Sequence, residues 1–330
     1  MKNLPRILLF ILLFIIAVGA GIYYFLPLNN IAEQKVIAKL AELGLKANSL
    51  KIEKLSPSQA IITNLELEGQ QPLKIARAQV HFNAKEALQG KIQRIYISGL
   101  EANVYNQDNH WQIGGLEALM KHSNNSESKT AISFAKLHPA LPIQISISDS
   151  KINIQDNETQ ISAPFDFALY NSAQKISGQL TSKNLKSDGL PYTIPPLDTL
   201  ANYELNNNEL LAKIVAHDVK NSYKANINLA APSEDVMQGK VTINNLSFPY
   251  GGGEILVSAQ QIPLKIDKPI KINLRLKSID LAGFLSEISN GTVNATGKVS
   301  GNLPIIYYPN GQIALQKGSL SSLESGILTV

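Results

Sequence analysis

An alternation of apolar and polar residues runs through most of this chain and limits what it can fold into. In QISISDSKINIQ, residues 144–155, two Ile-x-Ile runs are separated by Asp149 and Ser150. Successive side chains of a strand point to opposite faces of a sheet, so this stretch predicts two strands, each with one apolar face. The same criterion predicts about 15–18 strands after residue 50. The chain is therefore predicted to be mostly β.

Helical patterns are too few to cover a sheet of this size. Apart from one helix near the N-terminus, they occur only at residues 117–122 and 280–288. The sheet must therefore pack on itself as a sandwich, or curl around a continuous apolar trough. A sandwich interior normally contains more large aromatic side chains than the 6% found here. A trough lined by Ile, Leu and Val needs another filling, and extended acyl chains would fit.

The N-terminus carries a long apolar run, ILLFILLFIIAVGAGIYYFL at residues 7–26, without a charged residue. This is about the length that a helix needs to cross a bilayer. The alternative is a cleaved signal peptide, whose apolar region is about 7–15 residues long and ends in small residues. Small residues do occur at 17–20, but the apolar run continues past them. The length therefore favours an uncleaved membrane anchor at residues 1–29.

A short amphipathic helix is predicted directly after the anchor. Asn30 can cap it, Glu33 stands where a capping box needs a carboxylate, and Gly44 is a natural end. An apolar stripe follows the helical period at Val36, Ile37, Leu40 and Leu43. The helix could rest on lipid headgroups or plug the end of the sheet. Because its polar face is mixed rather than basic, the pattern favours the plug.

Polar segments divide the strand pattern. Residues 121–132, KHSNNSESKTAI, form the best candidate for a mobile loop because they are rich in Ser and Asn. Turns are predicted at residues 206–208, where three Asn follow one another, and at residues 251–253, where three Gly do. Asn310-Gly311 is a strong hairpin signal.

No constellation of catalytic or metal-binding residues is found. The chain has no Cys, and its five His (His81, His110, His122, His138 and His217) show no metal-ligand spacing. S-x-x-K occurs at residues 126–129 and 172–175 without the companion motifs of serine enzymes. Trp111 is interpreted as a packing residue. The net charge of +4 is too small and dispersed to indicate nucleic acid. We therefore expect neither an enzyme nor a cofactor, a metal or a nucleic-acid partner.

Three stretches carry a resemblance to a known family. The first, KANSLKIEKLSPSQAIITNLELEG, follows the anchor and the short helix. The second runs from LKIARAQVHF to WQIGGLEAL and places a glycine, a polar turn, a Trp and a Leu at Gly99, Asp108, Trp111 and Leu116. The third contains ATGKVSGNLPI followed by GQIALQKGSLSS. Together they resemble the AsmA-like superfamily of bacterial envelope proteins, which includes TamB and YdbH. The third stretch is most similar to the YdbH branch, of which this chain would be a short or truncated member.

The resemblance implies a fold, a function and a location. AsmA-like proteins are thought to carry phospholipid between the inner and outer membranes along an apolar β-groove. The chain would then be a single-pass inner-membrane protein with a cytoplasmic N-terminus and its bulk in the periplasm. Its partners would be the inner membrane, phospholipid acyl chains and an outer-membrane or other envelope protein. The alternative is an anchored envelope-assembly component without lipid transport, similar to the N-type proteins of type II secretion.

With this resemblance, the chain is predicted to have five segments. They are the anchor at 1–29, a helix and β-repeat at 30–120, the polar loop at 121–132, an elongated β-sheet at 133–276, and a short helix with the start of a YdbH-like β region at 277–330. The sheet is predicted to be antiparallel and curled into a groove. The residues predicted to line the groove are Ile143, Ile145, Ile147, Ile152, Ile154, Ile270, Ile272, Leu274 and Leu276.

Overall fold

The computed structural model describes most of the chain, with gaps. The described residues are 29–42, 44–56, 58–83, 92–107, 110–118, 141–156, 159–188, 195–207, 209–220, 222–232, 238–282, 294–322 and 328–329. The predicted anchor, except for Asn29, and the whole predicted loop at 121–132 lie outside these residues. Within the described ranges, no helix is both long enough and apolar enough to span a bilayer.

The described residues are mostly in strands, as predicted. One helix, α1, covers Asn29–Glu42. The strands are β1 (Ala47–Ser56), β2 (Gln59–Leu67), β3 (Leu73–His81), β4 (Arg94–Gln107), β5 (His110–Ile113), β6 (Gln144–Asp156), β7 (Thr159–Asn171), β8 (Ile176–Asp188), β9 (Leu197–Leu205), β10 (Glu209–Asp218), β11 (Lys224–Pro232), β12 (Lys240–Tyr250), β13 (Gly253–Val257), β14 (Gln260–Pro263), β15 (Ile270–Asp280), β16 (Asn294–Ala295), β17 (Lys298–Tyr307), β18 (Ile313–Leu315), β19 (Ser319–Ser322) and β20 (Leu328–Thr329).

The chain divides into two compact units. The first unit comprises residues 1–196 and 204–207, and the second comprises residues 197–203 and 208–330. In the first unit, β1 to β4 pair as an antiparallel meander, and β6 to β8 continue in the same way. The pair β4–β6 is parallel, so the predicted purely antiparallel sheet was wrong at this point. A parallel pair needs a crossover of a dozen or more residues, and residues 114–143 provide one.

Strand β6 is one continuous strand, although the sequence pattern predicted two. Its two Ile-x-Ile runs are joined at Asp149, which has a positive φ of 50°. Asn64 in β2 and Gly99 in β4 have the same conformation, with φ of 54° and 64°. Each such residue shifts the alternation of side chains by one position. In β4, for example, odd-numbered residues are buried before Gly99 and even-numbered ones after it.

Helix α1 lies against the edge strand β1. Its residues Val36 and Leu40, and Leu45 just after it, are buried. The Glu33 side chain accepts a hydrogen bond at 2.8 Å from the backbone N–H of Ile52 in β1. The helix ends at Glu42, and the following Leu45 N–H donates to the Leu40 carbonyl. An edge strand exposes unpaired backbone groups, so the helix covers part of that edge.

The second unit is an antiparallel array. β9 pairs with β10, and β10, β11 and β12 follow in order. β13 and β14 lie in succession beside β12, β15 pairs with β13, and β17 pairs with β15. β18 and β19 lie beside β17, while β16 and β20 form a separate pair.

Two predicted turns are present in the second unit. Gly251 and Gly252 both have positive φ and connect Tyr250 to its partner Gly253, which is the geometry of a type I′ hairpin. Asn310 and Gly311 lie in the hairpin between β17 and β18.

A half-buried apolar face as the candidate site

Most of the apolar residues in the second unit's strands share one face. Directly paired residues lie on the same face, so the register identifies this face without further assumption. Ile214 pairs with Ile227, and Ile227 pairs with Ile243. On the other side of the array, Leu274 pairs with Val257 in β13 and with Leu303 in β17. The face therefore runs across six strands. We call it the apolar face of the second unit.

The exposure of this face changes along strand β15. Leu276 is 1% exposed and belongs to a packed core with Ile255, Ile279 and Val299. Leu274 packs against that core but is only half-buried, as are Ile272 and Ile270 further from it. The intervening residues Lys271, Asn273 and Arg275 are exposed on the opposite face. One end of β15 thus seals a core, and the other end presents apolar side chains that the unit only partly covers.

Exposure is greatest beyond β17. Ile313 and Leu315 in β18 are 62% and 58% exposed, and they pair with Tyr307 and Ile305 of β17. Leu320 in β19 is 45% exposed and pairs with Gly301. The register places these side chains on the same apolar face.

The predicted lining residues of the first unit fall into three groups. Ile145 and Ile147 are buried, with 0% and 8% exposure. Ile152 and Ile154 follow the phase shift at Asp149 in the same strand and are half-buried. Ile143 precedes β6 and is 59% exposed. The structure thus brings the four Ile of β6 onto one strand and leaves Ile143 outside it.

Other residues of the apolar faces were not found from the sequence. Ile305 pairs with Ile272, and Leu303 pairs with Leu274, so both belong to the second unit's apolar face. In the first unit, Ile161 pairs with Ile154. The alternation within each strand was visible in the sequence. The pairing between strands was not, and a face is defined only by that pairing.

Next to the apolar face, strands β14 and β15 are joined by a side chain. The ladder between β13 and β15 ends at the pair Val257–Leu274, and the Ser258 N–H donates to the Asn273 carbonyl at 3.0 Å. β14 pairs with β12 instead. The Asn273 N–H donates to Gln260 Oε1 at 3.3 Å, while the buried Gln260 Nε2 has no hydrogen-bond partner among the described residues. We call this place the seam.

One buried charged group of the second unit, Asp218, stabilises the fold. Asp218, at the end of β10, is a buried carboxylate whose Oδ1 accepts the Tyr223 N–H at 2.8 Å. Burial raises the pKa of Asp218. Hydrogen bonds from backbone N–H groups, including those of Tyr223 and Ser222, lower the pKa by more than burial raises it, so the pKa lies below its usual value. This carboxylate stabilises the β10–β11 turn. In the described part of the chain, no three His, Asp or Glu side chains come together as metal ligands.

A comparison with protein families gives a match over the part of the chain that contains the second unit's apolar face. Residues 205–330 match the YdbH-like family, described as intermembrane phospholipid transport protein YdbH. The C-terminal part of this chain is thus similar to that family. The match covers rather more than a third of the chain and confirms the predicted AsmA-like, YdbH-type resemblance. No curated protein and no solved structure matches the chain.

Proposed function

We propose that this protein moves phospholipid between membranes by holding acyl chains against its apolar faces. Two findings support the proposal. The YdbH-like family is one of intermembrane phospholipid transport. The observation that carries the proposal is the row Ile270, Ile272 and Leu274, whose side chains are half-buried while their neighbours on the opposite face are exposed.

The physical reason is the cost of hydrating that row. Apolar surface removed from water contributes about 25 cal/mol per Å², and large contiguous apolar surfaces in soluble domains generally mark a binding site. Acyl chains can cover such a surface because they need no hydrogen-bond partners themselves. The side chains of Ile270, Ile272 and Leu274 have no polar groups to satisfy, so this row can hold chains in many positions, as movement along the protein requires.

The remaining parts of the proposal concern location. We propose that residues 1–29 anchor the protein in the inner membrane, with the N-terminus in the cytoplasm and the strands in the periplasm. An outer-membrane or other envelope protein would receive the lipid. The sheet would act as a groove, and the protein would have no enzymatic activity of its own. N-terminal sequencing of the mature protein tests the anchor, because cleavage near residue 21 would remove it.

The function is tested by photo-crosslinking in cells. A photo-reactive amino acid at position 272 should crosslink to phospholipid, because Ile272 lies on the apolar face. The matched control is position 273, the next residue on the same strand, where exposed Asn273 lies on the opposite face. Lipid adducts identified by mass spectrometry at 272 and not at 273 support the proposal. Equal adducts at both positions would show adhesion of lipid without a specific face.

A substitution provides the second test. Ile272→Asp places a carboxylate on the apolar face, away from the core residue Leu276, and Asn273→Asp places the same charge on the opposite face. A carboxylate is costly against hydrocarbon but not against water. We expect both variants to keep β-type circular dichroism and only Ile272→Asp to lose co-purified phospholipid. If the folded protein carries no phospholipid in any form, the envelope-scaffold alternative replaces the transport proposal.

A further inference from the structure

A polar side chain interrupts the apolar face of the second unit at the seam. Gln260 in β14 pairs with Ile243 of β12, so its side chain lies on the same face as that buried isoleucine. Ile262, two residues further along β14, lies on this face as well and is half-buried. An amide among such side chains is costly unless it is hydrogen-bonded. The hydrogen bonds of Gln260 therefore show what the amide is for.

One half of the Gln260 amide stabilises the fold. Its Oε1 accepts the N–H of Asn273 at 3.3 Å, just where the ladder between β13 and β15 has ended. The reverse orientation of the amide would place two donors against each other, so the hydrogen bond itself assigns Oε1 to this position. The backbone nitrogen of Asn273 is bonded to the carbonyl carbon of Ile272. The amide therefore ends beside the backbone of the half-buried row Ile270, Ile272 and Leu274.

The other half of the amide has no partner. Gln260 Nε2 is buried and makes no hydrogen bond with any residue that the structure describes. A buried donor without an acceptor destabilises the folded protein, and an acceptor brought by a bound molecule would remove that cost. Neighbouring side chains have to move before an acceptor reaches Nε2. A molecule that already lies against the half-buried row is in the right place to move them.

The charges around the amide favour a neutral acceptor. The cationic residues of β12 and β15 closest to the seam in sequence are Lys240, Lys271 and Arg275, and alternation places all three on the opposite face of the sheet. A phosphate or carboxylate oxygen on the apolar face would therefore be buried against a neutral amide and hydrocarbon, which is costly. The carbonyl of a carboxylic ester is a neutral acceptor. In a phospholipid, each ester carbonyl is bonded directly to an acyl chain, so it lies on the same face as that chain.

We propose that Gln260 Nε2 donates a hydrogen bond to an ester carbonyl of a phospholipid whose acyl chains lie on the row Ile270, Ile272 and Leu274. This inference rests on the proposed function and deepens it, because it names the part of the lipid that the apolar face recognises. The row holds the chains in many positions, whereas the carbonyl has one preferred position at the seam. Since an ether-linked chain has no carbonyl, the protein prefers ester-linked to ether-linked phospholipids.

The test compares two lipids that differ in this group alone. Full-length protein in detergent is given an equimolar mixture of a diester and a diether phosphatidylcholine with chains of equal length. Mass spectrometry of the extracted lipid gives the bound ratio, which is divided by the ratio in protein-free micelles. A net hydrogen bond corresponds to a preference of about two- to tenfold, so we expect the wild type to retain the diester lipid over the diether lipid by at least about twofold.

Two variants assign this preference to Gln260. Gln260→Met removes the donor and keeps the length of the side chain, so the ratio should fall to about one while lipid is still retained. The matched control is Gln261→Met, which removes an exposed amide from the opposite face of the same strand and should keep the wild-type ratio. Circular dichroism of both variants shows whether they fold. An equal fall in both variants, or a preference that persists in Gln260→Met, would overturn the assignment.

The outcomes also separate this inference from the proposed function. Bound phospholipid with a wild-type ratio of about one contradicts the Gln260 site and leaves transport in place, because water or another group then satisfies Nε2. No bound phospholipid of either kind contradicts both. The wild-type ratio keeps the inference falsifiable even if Gln260→Met does not fold, since the headgroup and the chain length are the same in the two lipids.

Discussion

Single residues with unusual backbone conformations determine how the first unit keeps its core on one face. Ser150 follows Asp149 in β6, and its buried side chain connects two strands there. Its Oγ accepts the Leu100 N–H at 3.0 Å and donates to the Ser148 carbonyl at 2.8 Å. Leu100 follows Gly99, so one hydroxyl satisfies the backbone beside both positive-φ residues.

At the same scale, Ser150→Ala should destabilise the first unit. The substitution leaves the buried Leu100 N–H without its acceptor, and a buried unsatisfied donor costs about 1–3 kcal/mol. Urea denaturation followed by circular dichroism measures the loss in the free energy of unfolding. Ser148→Ala is the matched control, because the Ser148 side chain is exposed and only its backbone carbonyl takes part. Equal stability of the two variants would show that a water molecule can accept the Leu100 N–H in place of the Ser150 hydroxyl.

Gly99 has a second constraint besides its φ. A Cβ added there would lie 2.7 Å from the Cβ of Ala76 in the neighbouring strand, which is closer than two carbon atoms can approach. Strand β3 therefore has a small residue, Ala76, opposite Gly99, where the alternation of β4 shifts. The sequence contained this signal, since Gly99 stands between two alternating runs just as Asp149 does. The pattern alone could not distinguish a break between strands from a phase shift within one.

At the scale of elements, strand β15 combines two environments. Its C-terminal half seals a core through Leu276, and its N-terminal half presents Ile270 and Ile272. The sequence predicted that these residues share a face, because alternation is a local property. It could not predict the difference in burial, since that depends on which neighbouring strands continue alongside: β13 ends at Val257, and β14 then pairs with β12.

The two halves of β15 should respond differently to truncation. Leu276→Ala removes a fully buried side chain and leaves a cavity, which costs about 2–5 kcal/mol. Ile272→Ala removes a side chain that is partly solvated already, so we expect about 1 kcal/mol or less in lipid-free protein. The control Lys271→Ala alters the opposite face and should stay within about 0.5 kcal/mol. Denaturant unfolding of the three variants decides the matter: a cost at Ile272 equal to that at Leu276 would mean a packed core along the whole strand.

At the scale of the whole molecule, sequence and structure agree on a mostly β protein with little helix. The alternation predicted the strands because it reflects one buried face per strand. The crossover that makes β4 and β6 parallel could not be predicted, since residues far apart in the chain determine which strands become neighbours. The sequence predicted the apolar residues within each strand. The strand register of the structure then showed which residues lie beside them, such as Ile305 beside Ile272 and Leu303 beside Leu274. The seam has no sequence signal, because its position depends on where one ladder ends.

Lipid binding to an apolar face should be visible as protection of particular strands from hydrogen exchange. Strands of the first unit such as β2 to β4 have mostly buried faces, whereas β10 and β11 of the second unit have mostly half-buried ones. A ligand that binds only the folded state stabilises it by about 2.7 kcal/mol at a hundredfold excess over its dissociation constant. That stabilisation slows exchange most where opening would release the ligand. We therefore expect added phospholipid to slow hydrogen exchange of the amides in β10, β11 and the first half of β15, and to leave exchange in β2 to β4 unchanged.

Two variants provide the control for this prediction. In Ile272→Asp the slowing at β15 should disappear, while Asn273→Asp should retain it. Slowing in β2 to β4 equal to that in β10 and β11, or slowing confined to β2 to β4, would contradict lipid binding at the second unit's apolar face.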